Sequence, residues 1–376
     1  MARLYVVGGG KVQALNAVTL TPLSAGGGGL ASRLRGLPIA SQLVQSPDGT
    51  KLAIIRGNAE TAAKRSTLTV VSVADNTVVR KDVVTGLTLL GVSNDGHGWY
   101  GFSTTRGGRL VRFVSARAGL RHTLDFHLAQ PCCVLFQYDR ARDRLYALTL
   151  RTVWNAGVPE SAAITTWQLS SRQRIANLAI TGLVAGTRID HSAVPVDRVI
   201  PSFTLSPDGR TLAILDFVDR RLDTIDALRL RWTRNPFVSG WGSSPDITLG
   251  PTTMPSSRLS GVEGLDIAAH FSLDGRTLYV EGTENNDHKT AVIFPESEPT
   301  RAIDVVHSTL RGVVSMTLVA PLKVGTDGSS VYTAVVKRAG PGVSVLVQRR
   351  RASNLSLIAE HSITPFAASY QIVGVP

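Results

Sequence analysis

The octapeptide Ser206-Pro207-Asp208-Gly209-Arg210-Thr211-Leu212-Ala213 returns along the chain, and that recurrence restricts the fold more than any other feature. Pro207 presets its own φ, Asp208 can accept hydrogen bonds from the turn it belongs to, and Gly209 accepts a positive φ. Leu212 then opens an apolar strand, so the motif is a tight turn that hands one antiparallel strand to the next. Ser46-Pro47-Asp48-Gly49-Thr50-Lys51-Leu52-Ala53 repeats it almost letter for letter. Weaker copies lie at Ser93-Asn94-Asp95-Gly96, Ser272-Leu273-Asp274-Gly275 and Gly325-Thr326-Asp327-Gly328, and a degenerate one at Tyr138-Asp139-Arg140. Repeats of roughly 40 to 50 residues with several strands each have the period of a propeller, and the two longest intervals, before residues 206 and 272, then hold insertions. A second turn, after the third strand of each unit, recurs in phase at Asn16-Ala17, Ala74-Asp75-Asn76, Ser170-Ser171 and Asp226-Ala227.

The first complete unit shows the layout: Gln42 to Gln45, the turn, Leu52 to Arg56, a polar loop, Thr67 to Val73, the second turn, and Val78 to Val84. That is a four-stranded antiparallel meander. The C-terminal stretch Ala368 to Val375 reads as a first strand that stops where its turn is due. Arg3-Leu4-Tyr5-Val6 reads like Arg276-Thr277-Leu278-Tyr279-Val280, the strand that follows such a turn. The expectation is an all-β, seven-bladed β-propeller in one domain spanning 1–376, its last blade built from one C-terminal and about three N-terminal strands, which leaves no free sheet edge. The blades are placed at about 40–86, 87–130, 131–195, 196–262, 263–311, 312–361, and 362–376 with 1–39. Hydrophobic residues at 43% suffice for a large core.

These turns resemble the TolB-type, WD40-like and YVTN-type β-propeller repeats of bacteria, over nearly the whole chain. The Gly-His and Trp-Asp marks of true WD40 blades are missing; Gly96-His97 occurs once, at a turn. The resemblance implies architecture and is nearly silent on activity, because one fold hosts many functions. It also implies a repeat type often found in the periplasm or outside the cell. Met1 to Val7 is too short an apolar stretch for a secretory signal, so the chain is expected either to stay inside the cell or to have lost an export signal. No apolar run is long enough to be a transmembrane segment.

Charge is the strong compositional bias: 40 Lys and Arg against 28 Asp and Glu give +12. Such a balance attracts acidic or anionic surfaces. Arg106, Arg109, Arg112, Arg117 and Arg121 punctuate the second unit, but with Phe113 alone among them they make no base-stacking platform, which argues against nucleic acid. Arg349-Arg350-Arg351, read as the turn after a third strand, is the better anion contact. The excursion Asn235 to Ser260 carries Phe237 and Trp241, with Trp232 ahead of it and Trp154 in the third unit's insertion. Aromatic groups on loops form contact surfaces, unless they fold back to cap their own blade.

For catalysis the pattern offers less. The chain has no Gly-x-Ser-x-Gly segment and its eight His residues stand singly, without His-x-His or His-Glu-x-x-His spacing. Asp197, Glu263 and Asp266 precede or enter first strands. In lactonase-like propellers, which the blade layout resembles, acidic side chains there hold a metal at the channel mouth, so a divalent cation such as Ca²⁺ is the alternative to no cofactor. Cys132-Cys133 reads either as a strained ring disulfide or as two buried thiols. The preferred reading is a non-enzymatic binding or structural scaffold that contacts another protein, or a copy of itself, through loops of blades three and four. The alternative is a channel-centred enzyme, a metal-dependent lactonase or esterase or a quinoprotein-like oxidoreductase.

Overall fold

A computed structural model describes residues 3–23, 29–38, 41–56, 65–104, 110–117, 120–127, 134–150, 160–183, 186–189, 195–199, 201–216, 220–234, 237–241, 248–249, 265–284, 300–314, 317–339, 342–363 and 370–375. The fold is an all-β, seven-bladed β-propeller. Its chain opens with β1 (Arg3–Gly8) and β2 (Lys11–Asn16), followed by the short helix α1 (Leu30–Leu34). Blade one is β3 (Gln42–Gln45), β4 (Lys51–Ile55), β5 (Arg65–Ser72) and β6 (Val78–Thr85). Blade two is β7 (Thr88–Val92), β8 (Gly98–Thr104), β9 (Leu110–Arg117) and β10 (Leu120–His127). Blade three is β11 (Val134–Asp139), β12 (Arg144–Leu150), β13 (Glu160–Gln168) and β14 (Gln173–Leu183).

The long interval that follows holds a hairpin, β15 (Gly186–Ile189) with β16 (Pro195–Val199). Blade four is β17 (Ser202–Leu205), β18 (Thr211–Asp216), β19 (Arg221–Asp226) and β20 (Arg231–Arg234). The second insertion contributes β21 (Thr248–Leu249), which pairs with β15 to make a small accessory sheet. Blade five is β22 (Leu265–Phe271), β23 (Thr277–Glu284), β24 (Thr300–Asp304) and β25 (Thr309–Val314). Blade six is β26 (Thr317–Val324), β27 (Ser330–Ala339), β28 (Gly342–Arg351) and β29 (Leu357–Ile363). The last strand, β30 (Gln371–Val375), completes blade seven.

Blade seven joins the two ends of the chain: Arg3 pairs with Val375 and Val7 with Gln371, antiparallel. Its fourth strand is vestigial. Leu23 N–H reaches Ala14 O at 2.9 Å and Pro22 bridges Leu15, but proline has no N–H to continue a ladder. Where a full outer strand was expected, α1 instead buries Leu30, Ala31 and Leu34 against Tyr5, Val7 and Val373.

The chain forms two compact units, residues 1–131 with 317–352 and 356–376, and residues 132–316 with 353–355. The first holds blades six, seven, one and two; the second holds blades three, four and five with the accessory sheet. In both, the first strands of successive blades lie beside one another and apolar faces fill the space between blades. Period-2 alternation does this: in β18, Leu212 and Ile214 pack toward blade three, while Ala213 and Leu215 pack toward blade five.

The recurrent turn is built as its chemistry predicts. Ser206 Oγ donates to Asp208 Oδ1 at 2.6 Å, Arg210 N–H donates to the same carboxylate at 3.0 Å, and Thr211 N–H donates back to Ser206 Oγ at 2.9 Å. Ser46-Asp48 and Ser272-Asp274 repeat these bonds. A hydrogen bond from Ser206 leads the causes that hold Asp208 below the usual carboxylate range; the same partner, Ser272, does so for Asp274. These acidic residues are committed to their own turns.

Candidate functional site

Tertiary bonds sort the side chains singled out by sequence. In the arginine triplet, the three residues end β28 rather than forming the turn after it, since Ser330 pairs with Arg351. Strand alternation then separates them. Arg349 donates to Ser330 Oγ at 2.9 Å and to Val18 O at 3.0 Å, tying blade six to the turn of blade seven. Tyr332 supports the same turn through its hydroxyl on Ala17 O at 2.9 Å. Arg350 is buried against Gln348, and that burial lowers its affinity for a proton; Arg351 is exposed. In the second unit's cluster, Arg106 and Arg109 lie outside the described residues. Arg112 makes a two-pronged pair with Asp125 at 2.6 and 2.7 Å, and Arg121 stands 5.7 Å over the Trp99 ring.

The aromatic candidates divide in the same way. Trp154 lies outside the described residues. Trp232, half-buried, packs on the core between blades three and four. After β20 the chain continues as a strap, 237–241, laced to two blades. Val238 N–H donates to Arg220 O at 2.8 Å, Ser239 N–H to Ser308 O at 2.9 Å, and Leu310 N–H to Ser239 O at 3.0 Å. Val238 and Trp241 turn inward, and the Arg301 guanidinium lies 4.6 Å from the Trp241 ring centre. Phe237 turns outward and is 72% exposed, the most exposed large apolar side chain among the described residues.

The acidic candidates lie on first strands or on the accessory hairpin. Asp197 is on β16 and Asp266 on β22, two strands that approach one another; Glu263 lies outside the described residues, as do Cys132 and Cys133. Among the described residues no group of three or more His, Cys, Asp or Glu side chains converges as a metal-binding cluster.

Blade five carries an arrangement that the sequence reading missed. His270 on β22 faces Glu281 on β23, with Nε2 3.4 Å from Oε1. Glu281 is 1% exposed, whereas the imidazole is 44% exposed, and both facing atoms are buried and misaligned for a hydrogen bond. The accessible part of the ring therefore points away from the carboxylate. A buried carboxylate 3.4 Å from a half-exposed imidazole can help hold that ring in place, as partners of acid–base or metal-ligand histidines do. The signal was present: His270 follows the apolar run Ile-Ala-Ala on β22, and Glu281 follows Leu-Tyr-Val on β23.

No protein-family model matches the sequence, so the likeness to TolB-type and YVTN-type repeats is one of motif. No curated protein sequence matches it. Solved structures do match in fold. A periplasmic gluconolactonase of Pseudomonas aeruginosa superposes with a TM-score of 0.52 at 14% identity, covering 100% of both chains. A putative 6-phosphogluconolactonase from Bacteroides uniformis gives 0.51 at 15% identity, covering 99% of both. At these identities the similarity establishes the seven-bladed fold and nothing finer.

Proposed function

We propose that the protein is a non-enzymatic binding propeller that takes a partner protein through the strap following blade four. One observation carries the reading: Phe237 stands 72% exposed on backbone that is fixed on its C-terminal side by bonds to blades four and five. Leaving a phenylalanine in water forgoes roughly 1.5–3 kcal/mol of burial. A rigid aromatic group is the kind of residue that anchors interfaces, because little freedom is lost when it docks. The exposed Arg351 and the net charge of +12 favour an acidic partner surface.

The test is a photo-activated phenylalanine analogue at position 237 in producing cells, with mass spectrometry of the adducts. A single recurrent partner, or a second copy of the chain, supports the reading if Phe237→Ala abolishes that association while melting is unchanged. Association that survives Phe237→Ala refutes it.

A second reading has its own support: Asp197 and Asp266 on neighbouring strands, and His270 with Glu281 on the same blade, suit a cation-assisted hydrolase acting on a lactone or ester. The superposition with a gluconolactonase suggests the substrate class to try first. Purified protein is assayed for calcium-dependent hydrolysis of gluconolactone before and after chelation. Turnover lost in Asp266→Asn would favour this reading over the scaffold.

A further inference from the structure

Lys323 lies on β26, the first strand of blade six, and among the described residues no carboxylate pairs with it. The sequences of β26 and of the two strands packed against it, β27 and β30, contain no acidic residue. Among the described residues the Lys323 amine makes no hydrogen bond or ion pair. Opposite it across the ladder stands Tyr332, whose hydroxyl is given to Ala17 O. The nearby charges are engaged elsewhere. Arg349 bonds Ser330 and Val18, and lies 4.0 Å from Asp327. On β30, Gln371 gives its amide to Ser41 O.

The strand is also distorted at this point. Register shifts occur between Leu318 and Ala320 and again between Ala320 and Lys323, the second spanning Pro321. Bulges of this kind re-aim a side chain and concentrate near functional sites. Lys323 is half-buried, and its chain neighbours Leu322 and Ala320 are buried and apolar.

We propose that Lys323 is a nucleophilic amine that captures a carbonyl-bearing small molecule, an aldehyde or 2-oxo acid, as a Schiff base. The nitrogen lone pair attacks the carbonyl carbon to give a carbinolamine. The nitrogen loses a proton and the hydroxyl leaves as water, giving a C=N bond with no change in oxidation level. Burial without a carboxylate partner supports the nucleophilic role, because it lowers the ammonium to about 8, against roughly 10.4 for a free lysine side chain.

The experiment uses the full-length protein and glyoxylate as the probe, with cyanoborohydride to trap the imine and peptide mass mapping to locate it. The chain has seven lysines, so each can be followed separately. The expected result at pH 7 is an adduct on Lys323 at about tenfold or more the rate of any other lysine, with a rate midpoint near pH 8. Lys323→Met and Lys323→Arg should each remove that fast adduct without altering the slow ones. Mapping of the unsubstituted protein is decisive even if a variant folds poorly. Adducts spread evenly over the lysines, or a fast adduct at another position, would overturn the proposal.

Discussion

Two glycines in the same turn position and the same unit allow a test of what the repeat contributes. Gly209 and Gly275 both adopt positive φ, +70° and +69°. A Cβ on Gly275 would meet nothing closer than Ser206 Cβ at 3.8 Å. On Gly209 it would fall 2.5 Å from an Arg142 nitrogen and 2.7 Å from Asp139 Oδ2. Gly275→Ala should therefore cost only the left-handed backbone term, about 1 kcal/mol. Gly209→Ala carries that cost and must also dislodge Arg142 from Asp139, a 2.6 Å pair whose carboxylate is 5% exposed. Losing a charge-assisted bond adds about 2 kcal/mol, so the total is about 3. Urea unfolding followed by circular dichroism measures both, and with a slope of about 2–3 kcal/mol/M the midpoints should differ by about 0.7–1 M. The double variant Gly209→Ala with Arg142→Ala should cost less than the sum of its parts, because the displaced group is then absent. Equal midpoints for the two glycine variants, or strict additivity in the cycle, would show that contact between neighbouring turns contributes nothing.

Other outcomes follow from the same structure. Asp304 accepts from His307 and Arg311; burial opposes its ionisation, but those bonds outweigh it and hold the carboxyl well below the usual range. The folded state favours the ionised form. Its contribution is complete above the unfolded value of about 4, fades as pH falls below that and is lost fully only below the folded carboxyl's own lowered value, so Asp304→Asn should cost about 1–2 kcal/mol at pH 7 and distinctly less, though not zero, at pH 2. Denaturant titrations at both pH values test this. Gln42 bridges blades one and two by giving its amide to Leu87 O and accepting from Leu89 N–H at 2.7 Å, so Gln42→Ala should cost about 1–3 kcal/mol and speed amide exchange at Leu89. In the strap, Trp241→Ala should cost about 3–5 kcal/mol and Phe237→Ala under about 0.5, although the two aromatics lie four residues apart.

The architecture was legible because its signals are local. Turn residues with fixed backbone preferences recur in phase, and Arg3-Leu4-Tyr5-Val6 matches the strand after a turn closely enough to assign it to a blade begun at Gln371. The third N-terminal strand was not legible in the same way, because one proline ends its ladder after a single bridge. Side-chain roles were harder to read because partners far along the chain decide them. Nothing local distinguishes Arg349, bonded across 331 residues to Val18, from the exposed Arg351. Likewise Trp241 and Phe237 share a loop composition, and only Arg301 and the core between blades four and five separate the buried ring from the exposed one.

The first strands suggest where chemistry could be placed. Adjacent first strands belong to different sheets, so no ladder joins them, and several blades substitute a glutamine amide for it. Gln42 bonds the backbone of β7, Gln45 bonds Gly374, Gln371 bonds Ser41, and Gln137 bonds Phe203 O at 2.8 Å. A primary amide offers both a donor and an acceptor and stays uncharged at any physiological pH, so it seals such a seam without a desolvated charge. The first strands of blades two, four, five and six contain no glutamine, and of these four those of blades five and six carry ionisable residues. On those two strands the ionisable residues are Asp266, His270 and Lys323, residue types that cost more to bury than an amide. A position that an amide would fill at lower cost, yet that holds an ionisable group, is where function rather than folding best accounts for the residue.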